Sequence, residues 1–401
     1  MIKLVFNFKV TFFLLVAFVI LSACKNIEQQ EKNPLAIYVD SIKQEYAPDK
    51  RTALFNIEAN INNGNYILKG ESNLPEAVNA LKAKLNQANI RFTDSMLLLP
   101  TNEFKNSNWA VIKISAANLR SKPGHSQELA TQATLGTPVK VYKNDGDWYL
   151  VQTPDNYLAW VDRGGIEILK NEEFIKWKST KKIIYTNLTG YSYESPTSKQ
   201  VVSDLVAGSI LELVDDNDLF YKVNYPDGRL AYIKKGEAQV YDTWLATLNP
   251  TTASLEATSK RLMGIPYLWG GTSTKGVDCS GFTKTVYFLN GMVLPRDASQ
   301  QVNTGNVIDK TKDFNTLDVG DLLFFGNQAT DSTKQRVVHV GMWIGNNEFI
   351  HSSGRVHISS FDKNATNYDA YNFNRYLQSN RVLKEKTSHL INLQQTPLFK
   401  D

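Results

Sequence analysis

The run Tyr267-Leu-Trp-Gly-Gly-Thr-Ser-Thr-Lys-Gly-Val-Asp-Cys-Ser-Gly-Phe282 permits little besides a glycine-rich loop that feeds directly into a helix. Beyond it Phe282, Val286 and Leu289 recur at three- and four-residue spacing, the apolar stripe of a helix packed on a core, and Asn290-Gly291 suits the end of one. Cys279 is therefore expected in the first helical turn. There the unpaired backbone N–H groups and the positive end of the helix dipole favour an anion, so the thiol is expected to ionise more readily than a free one. Asp278 is placed to cap the helix by accepting from its first amides. An inert buried cysteine fits the same pattern, since cysteine is among the most buried residue types.

Histidines tip the balance toward chemistry. The chain has five, and His339, His351 and His357 share one C-terminal segment. Arg336-Val-Val-His-Val-Gly-Met-Trp-Ile344 alternates like a strand, Gly345-Asn346-Asn347 is turn-forming, and Glu348-Phe-Ile-His-Ser352 resumes the extended pattern. With Ile344 opposite Glu348, Gly341 faces His351 and His339 is its diagonal neighbour on the same face, roughly 7–8 Å away at Cα. Gly341 leaves room for the ring opposite. A cysteine at a helix start, a histidine to take its proton and a second polar group to orient that histidine form a nucleophile–base–orienter set.

Five motifs in order, Pro266-Tyr-Leu-Trp-Gly-Gly271, Gly276-Val-Asp-Cys-Ser-Gly-Phe282, Leu294-Pro-Arg-Asp297, Asp318-Val-Gly-Asp-Leu-Leu-Phe-Phe325 and Val338-His-Val-Gly341, resemble the NlpC-type cell-wall cysteine peptidases over residues 250–385. The resemblance implies a papain-like α+β domain in which Cys279 attacks, His339 serves as base and acid, and His351 orients His339. Tyr267 matches a family position near the nucleophile. Asp278 and Ser280 are expected to line the groove, mainly through backbone groups, although Asp278 serves equally well as a pure cap. The substrate implied is a bacterial wall stem peptide, L-Ala-γ-D-Glu-diamino acid, cut after γ-D-glutamate, without metal or cofactor. Arg296 is open to two roles, binding a substrate carboxylate or forming an ion pair with Asp297, and His357, which matches no family role, is expected at the surface or the groove edge.

Lys3 and Lys9 precede an apolar run from Val10 to Leu21 that ends Leu21-Ser-Ala-Cys24, the order of a secretory signal. The ending resembles a bacterial lipobox, which implies that Cys24 becomes the mature N-terminus and carries a lipid. A transmembrane anchor competes with this, but the apolar run is short for a span. Both of the chain's two cysteines then have assignments and none remains for a disulfide. Without residues 1–23 the 44 basic side chains fall to 42 against 40 acidic ones, so no broad electrostatic footprint for nucleic acid exists.

The expected architecture is an α+β multidomain chain. A signal at 1–23 and a tether at 24–33 precede a small mixed α/β unit at 34–105. In that unit helices over about 36–46 and 74–88 flank a hairpin around Asn62-Asn-Gly-Asn65, and it shows no chemistry of its own, which suits a spacer or packing domain, with a binding domain for another envelope protein as the alternative. Short strands with regular turns at 106–170 resemble a bacterial SH3-like barrel, and 171–242 resembles a second, diverged copy. The peptidase domain at 250–385 and a tail at 386–401 complete the chain. In relatives with two barrels ahead of an NlpC-type domain, the first barrel closes one end of the groove. By that resemblance Tyr157, three residues before Trp160, points into the site, with Glu128 beside it. Asp297 takes the position that pairs with a free N-terminal L-alanine amine. The next family residue is often serine, but here it is Ala298, which removes one hydrogen bond from that subsite.

Three other readings share these residues. A metal site of Cys279, His339, His351 and His357 lacks paired short-range ligand spacing. Acyl transfer or amidase chemistry uses the same thioester, and a non-catalytic peptidoglycan-binding lipoprotein uses the same barrels. The expected setting is a monomer in the bacterial cell envelope, held to a membrane by the Cys24 lipid, acting in peptidoglycan turnover or recycling.

Overall fold

A computed structural model describes residues 34–395 apart from Asn63, Lys386 and Ser388. The leader, the tether and Cys24 lie outside the described residues, as does the end of the tail.

In the N-terminal unit, helices Ala36–Tyr46 and Pro75–Gln87 turn Val39, Ile42, Val78, Leu81 and Leu85 onto Phe55, Ile57 and Leu68 of a three-stranded sheet. Strands Phe55–Asn62 and Asn65–Ser72 form the expected hairpin. A third strand, Phe92–Leu98, pairs parallel to the second, and the Pro75–Gln87 helix provides the crossover that parallel strands require. That strand was not expected. Its side chains are mostly exposed, so backbone pairing holds it and no apolar alternation marks it.

Two seven-stranded sheets follow. The first comprises Trp109–Ile112, Ala116–Arg120, Leu129–Thr134, Pro138–Asp145, Trp148–Gln152, Leu158–Asp162 and Ile166–Leu169. The second comprises Lys182–Tyr185, Thr189–Tyr193, Val201–Val206, Ile210–Asp216, Phe220–Asn224, Leu230–Lys234 and Ala238–Val240. Counting each sheet from its own first strand, both have the spatial order 7-1-4-5-6-2-3. The repeat thus holds in topology where the sequences have diverged.

The C-terminal domain is built on a six-stranded antiparallel sheet, in spatial order Asn306–Asp309, Tyr376–Arg381, Leu322–Asn327, Arg336–Gly345, Glu348–Ser353, Arg355–Ser360. Helix Cys279–Phe288 lays Phe282 and Val286 on Phe324, Val340, Met342 and Ile350, all fully buried. Burying each such side chain stabilises the domain by about 1.5–3 kcal/mol, and the same packing sets the helix start over the central strands. Gly291, at φ 79°, follows the helix end as expected.

The first barrel is docked on the loop ahead of Cys279. Gln132 Oε1 accepts from Thr272 N–H at 3.1 Å and Ser273 Oγ at 2.9 Å, while Thr272 Oγ1 donates to the Gln132 carbonyl at 2.8 Å. Gly270, at φ +80°, lies so close to this barrel that a Cβ there would sit 2.2 Å from the Leu129 carbonyl oxygen. Lys284 pairs with Asp155 at 2.7 Å, both nearly buried, which ties the loop carrying Tyr157 to helix Cys279–Phe288.

Candidate active site

Asp278 precedes the helix in extended backbone, and its Oδ1 accepts from Gly281 N–H at 2.7 Å, a side-chain cap. Its Oδ2 takes Gly270 N–H at 3.0 Å. Arg296, 1% exposed, grips the same carboxylate through Nη2 to Oδ2 at 2.6 Å and Nη1 to Oδ1 at 3.2 Å, and Nη1 also reaches Ser280 Oγ at 3.0 Å. Arg296 therefore forms a structural ion pair as one of its two expected roles had it, but the partner is corrected from Asp297 to Asp278. Asp278 and Ser280 border the groove, with their side chains committed to this clamp.

The histidine hairpin forms with one adjustment. Gly345, Asn346 and Asn347 all have positive φ, and a bulge places Gly345 rather than Ile344 opposite Glu348. Past the bulge Trp343 pairs with Phe349 and Met342 with Ile350, so Gly341 still falls opposite His351. A Cβ at Gly341 would meet the Phe349 ring at 2.9 Å and His351 Cβ at 3.3 Å, hence the need for glycine. His339 Nε2 and His351 Nδ1 lie 2.8 Å apart, and His351 Nε2 lies 3.1 Å from Ser359 Oγ. His357 pairs with His351 across the next strand, their rings 4.5 Å apart at the centroids, and it is half-buried.

Backbone N–H groups of Ser280 and of Val340, the residue after His339, point at the Cys279 sulfur. Cys279 and His339 are each 8% exposed and His351 1%. Burial pushes the thiol up to about 11, helped by the Asp278 charge, and the two N–H groups and Arg296 offset only part of this. Burial likewise pushes His339 down to about 3 and His351 well below the usual imidazole value. Against the expected easy ionisation of Cys279, desolvation raises the thiol by more than its two amide partners and Arg296 lower it.

A cleft of about 780 Å³ opens over Cys279, bordered by Tyr267, Trp269, Asp278, Arg296, Asp297 and Tyr157. Tyr267 is half-buried, and its hydroxyl is pushed up to about 12 by burial and by the charges of Cys279 and Asp278. At the closed end the Tyr157 hydroxyl donates to Asp297 Oδ2 at 3.1 Å. Glu128 borders the same cleft but is exposed and accepts from Trp269 Nε1 at 2.9 Å. Arg51 of the N-terminal unit also reaches the site, its Nη1 2.8 Å from Asp297 Oδ2. No local pattern announces Arg51, because the contact joins residues 246 apart. Trp269 lay inside a recognised motif, but no role followed from it. Among the described residues no group of three or more His, Cys, Asp and Glu side chains is arranged to hold a metal ion.

Comparison with known proteins agrees with this geometry. Residues 264–375 match the model of the NlpC/P60 family and residues 115–167 that of the bacterial SH3 domain. A gamma-D-glutamyl-L-lysine dipeptidyl-peptidase of Bacillus cereus is 34% identical over 57% of this chain and 68% of its own length. A Bacillus subtilis protein of the same name is 28% identical over 56% and 72%. The crystal structure of an NlpC/P60 family protein from Bacillus cereus superposes with a TM-score of 0.59 at 29% identity, covering 69% of this chain and 99% of that one. The chain belongs to the NlpC/P60 family of peptidases, carrying a bacterial SH3 domain ahead of its NlpC/P60 domain.

Proposed function

We propose that this protein hydrolyses the bond between γ-D-glutamate and a diamino acid in peptidoglycan stem peptides, with Cys279 as nucleophile, His339 as base and acid, and His351 as orienter. The observation that carries this is the 2.8 Å contact between His339 Nε2 and His351 Nδ1, beside a sulfur that faces the Val340 amide. With His351 Nε2–H donating to Ser359 Oγ, His351 Nδ1 accepts from His339 Nε2–H, which leaves His339 Nδ1 unprotonated to take the thiol proton. Sulfur then bonds to the carbonyl carbon, and the oxyanion is met by the Cys279 N–H at the helix start and by the Tyr267 hydroxyl. His339 returns the proton to the leaving amine as the C–N bond breaks, and water resolves the thioester. Asp297 and Tyr157, with a lesser part for Glu128, receive the free ammonium of N-terminal L-alanine, while Asp278 and Ser280 shape the groove beside the nucleophile.

The names of the two Bacillus relatives support a γ-D-glutamyl bond, with L-lysine as the diamino acid in those proteins. We extend the proposal to meso-diaminopimelate, to lipid attachment at Cys24, to a monomer in the cell envelope, and to the domain limits 34–105, 106–170, 171–242 and 250–385. The identical strand order of the two seven-stranded sheets supports the middle two of these units.

The test is incubation of the detergent-solubilised chain and its Cys279→Ala variant with L-Ala-γ-D-Glu-meso-diaminopimelate, the L-lysine peptide and their N-acetylated forms, with products followed by mass. Release of the free diamino acid from the unblocked peptides, abolished in the variant, is expected. Cleavage of blocked and unblocked peptides at equal rates would remove the ammonium-binding role of Asp297, Tyr157 and Glu128. No cleavage of any would favour acyl transfer or simple binding.

A further inference from the structure

Both acids at the closed end of the groove already hold donors. Asp297 Oδ2 accepts from Tyr157 and from Arg51, and Glu128 Oε1 accepts from the Trp269 indole. Arg51 is firmly delivered. Its carbonyl accepts from the N–H of Leu158, the residue after Tyr157, at 2.7 Å, and the carbonyl of Thr52 accepts from Gln152 Nε2 at 2.9 Å. The N-terminal unit is therefore stitched to the barrel strands beside the groove, and Lys50 and Arg51 form part of the groove wall.

The guanidinium is shared between two carboxylates. Nε and Nη2 grip Asp49 at 2.8 and 2.7 Å, whereas only Nη1 reaches Asp297, at 2.8 Å, and Ser299 Oγ, at 2.9 Å. If Arg51 lets go of Asp297 it keeps a bidentate partner, the stronger of its two attachments. Asp49 is itself steadied by Gln300 Nε2 at 2.8 Å. A substrate ammonium arriving at Asp297 is a second cation seeking an oxygen that a first cation already holds, and like charges sharing one carboxylate oppose each other.

We propose that Arg51 is a specificity-determining residue that occupies Asp297 in place of the substrate's ammonium, so that a free amine must displace it. The N-terminal unit thereby sets how strongly the groove prefers unblocked stem peptides. This rests on the reading of Asp297 as the ammonium site. Tyr157 stays on Asp297 throughout, and Asp49 receives Arg51 when the substrate binds.

The test is kinetics of the full chain in detergent on L-Ala-γ-D-Glu-meso-diaminopimelate and on its des-amino analogue, with propionyl in place of alanyl. Wild type, Arg51→Met and Asp49→Asn are compared. Arg51→Met is expected to lower KM for the free-amine peptide about two- to fivefold, the scale of a part-exposed ion pair, and to raise its preference over the analogue by the same factor. Asp49→Asn is expected to raise that KM, because Arg51 without its second carboxylate holds Asp297 more tightly. Loosened domain docking would move both variants in one direction, so opposite movement is the signature. A higher KM in Arg51→Met, or an unchanged preference, overturns the proposal. If wild type cleaves neither peptide, the peptidase reading fails instead. Calorimetry of L-Ala-γ-D-Glu on the Cys279→Ala protein, with and without Arg51→Met, then decides the role of Arg51 separately, a tighter complex without Arg51 supporting it and an equal or weaker one overturning it.

Discussion

At the residue scale the protonation states of Cys279 and His339 make the sharpest predictions. With the thiol raised to about 11, iodoacetamide alkylation of Cys279 in a Cys24→Ala background should accelerate steadily from pH 7 toward 11. A plateau already reached below pH 7 would instead reveal a thiolate–imidazolium pair. His339 titrates near 3 when folded and near 6.5 when unfolded, so the unfolded chain binds its proton first as pH falls. The stability tied to neutral His339 is thus fully present above about pH 6.5 and is lost as pH falls through about 3. Replacing His339 by glutamine should flatten the urea midpoint between pH 6.5 and 3, and an unchanged slope would refute the burial argument. His351→Ala should lower kcat by about 10²–10³ with little change in KM, the usual size of a general acid–base contribution, and His351→Asn should recover part of it. A purely structural His351 would instead lower kcat only in proportion to lost folded protein.

The Asp278 cap and the histidine hairpin operate at the scale of elements. Arg296 and Asp278 form a buried pair, and removing one partner of such a pair typically costs about 3–5 kcal/mol because a charge is left unpaired. Arg296→Met should therefore lower the melting temperature by several degrees, read by calorimetry, and should loosen the loop that presents Cys279. A melting temperature equal to wild type would show that the clamp adds nothing to the fold. The helix start and the hairpin were legible in sequence because both rest on short-range signals, an acid before a glycine-flanked cysteine and glycine–asparagine turn chemistry. That this three-residue turn could carry a bulge was legible too, but its place at Ile344 was not, since that depends on how three left-handed residues, Gly345, Asn346 and Asn347, close the turn. Strand Phe92–Leu98 was missed for a related reason: one parallel neighbour pairs with it, and its faces carry no apolar code.

On the scale of the whole molecule, the catalytic groove is an assembly of three parts. The C-terminal domain supplies Cys279, His339 and His351, the first barrel supplies Tyr157 and Glu128, and the N-terminal unit supplies Lys50 and Arg51. The N-terminal unit thus packs against the groove, the second of the two roles its sequence suggested. Gly270→Ala tests the docking directly. A Cβ 2.2 Å from the Leu129 carbonyl, on a residue at φ +80°, forces barrel and loop apart, so kcat/KM should fall while far-ultraviolet circular dichroism stays native. Full activity in this variant would mean that the barrel does not need its observed position. Among the described residues no helix is long and apolar enough to cross a membrane, and Cys24, the proposed site of lipid attachment, lies outside them. Cys24→Ala should move the protein from the membrane to the soluble fraction of an expressing bacterium, and continued membrane association would exclude the lipid.

The amino-acid sequence by itself determined which residues could do chemistry and the local frames that hold them: a capped helix start for Cys279 and one strand face for His339 and His351. These are properties of periodicity, turn residues and capping, which act over a few residues. Only the tertiary structure decided the charge on those groups and the partners they keep. Burial raised the Cys279 thiol, Arg296 turned inward to Asp278, and Arg51 crossed 246 residues to meet Asp297. Desolvation and long-range ion pairing depend on what the whole chain packs around a group, and no stretch of sequence carries that information alone.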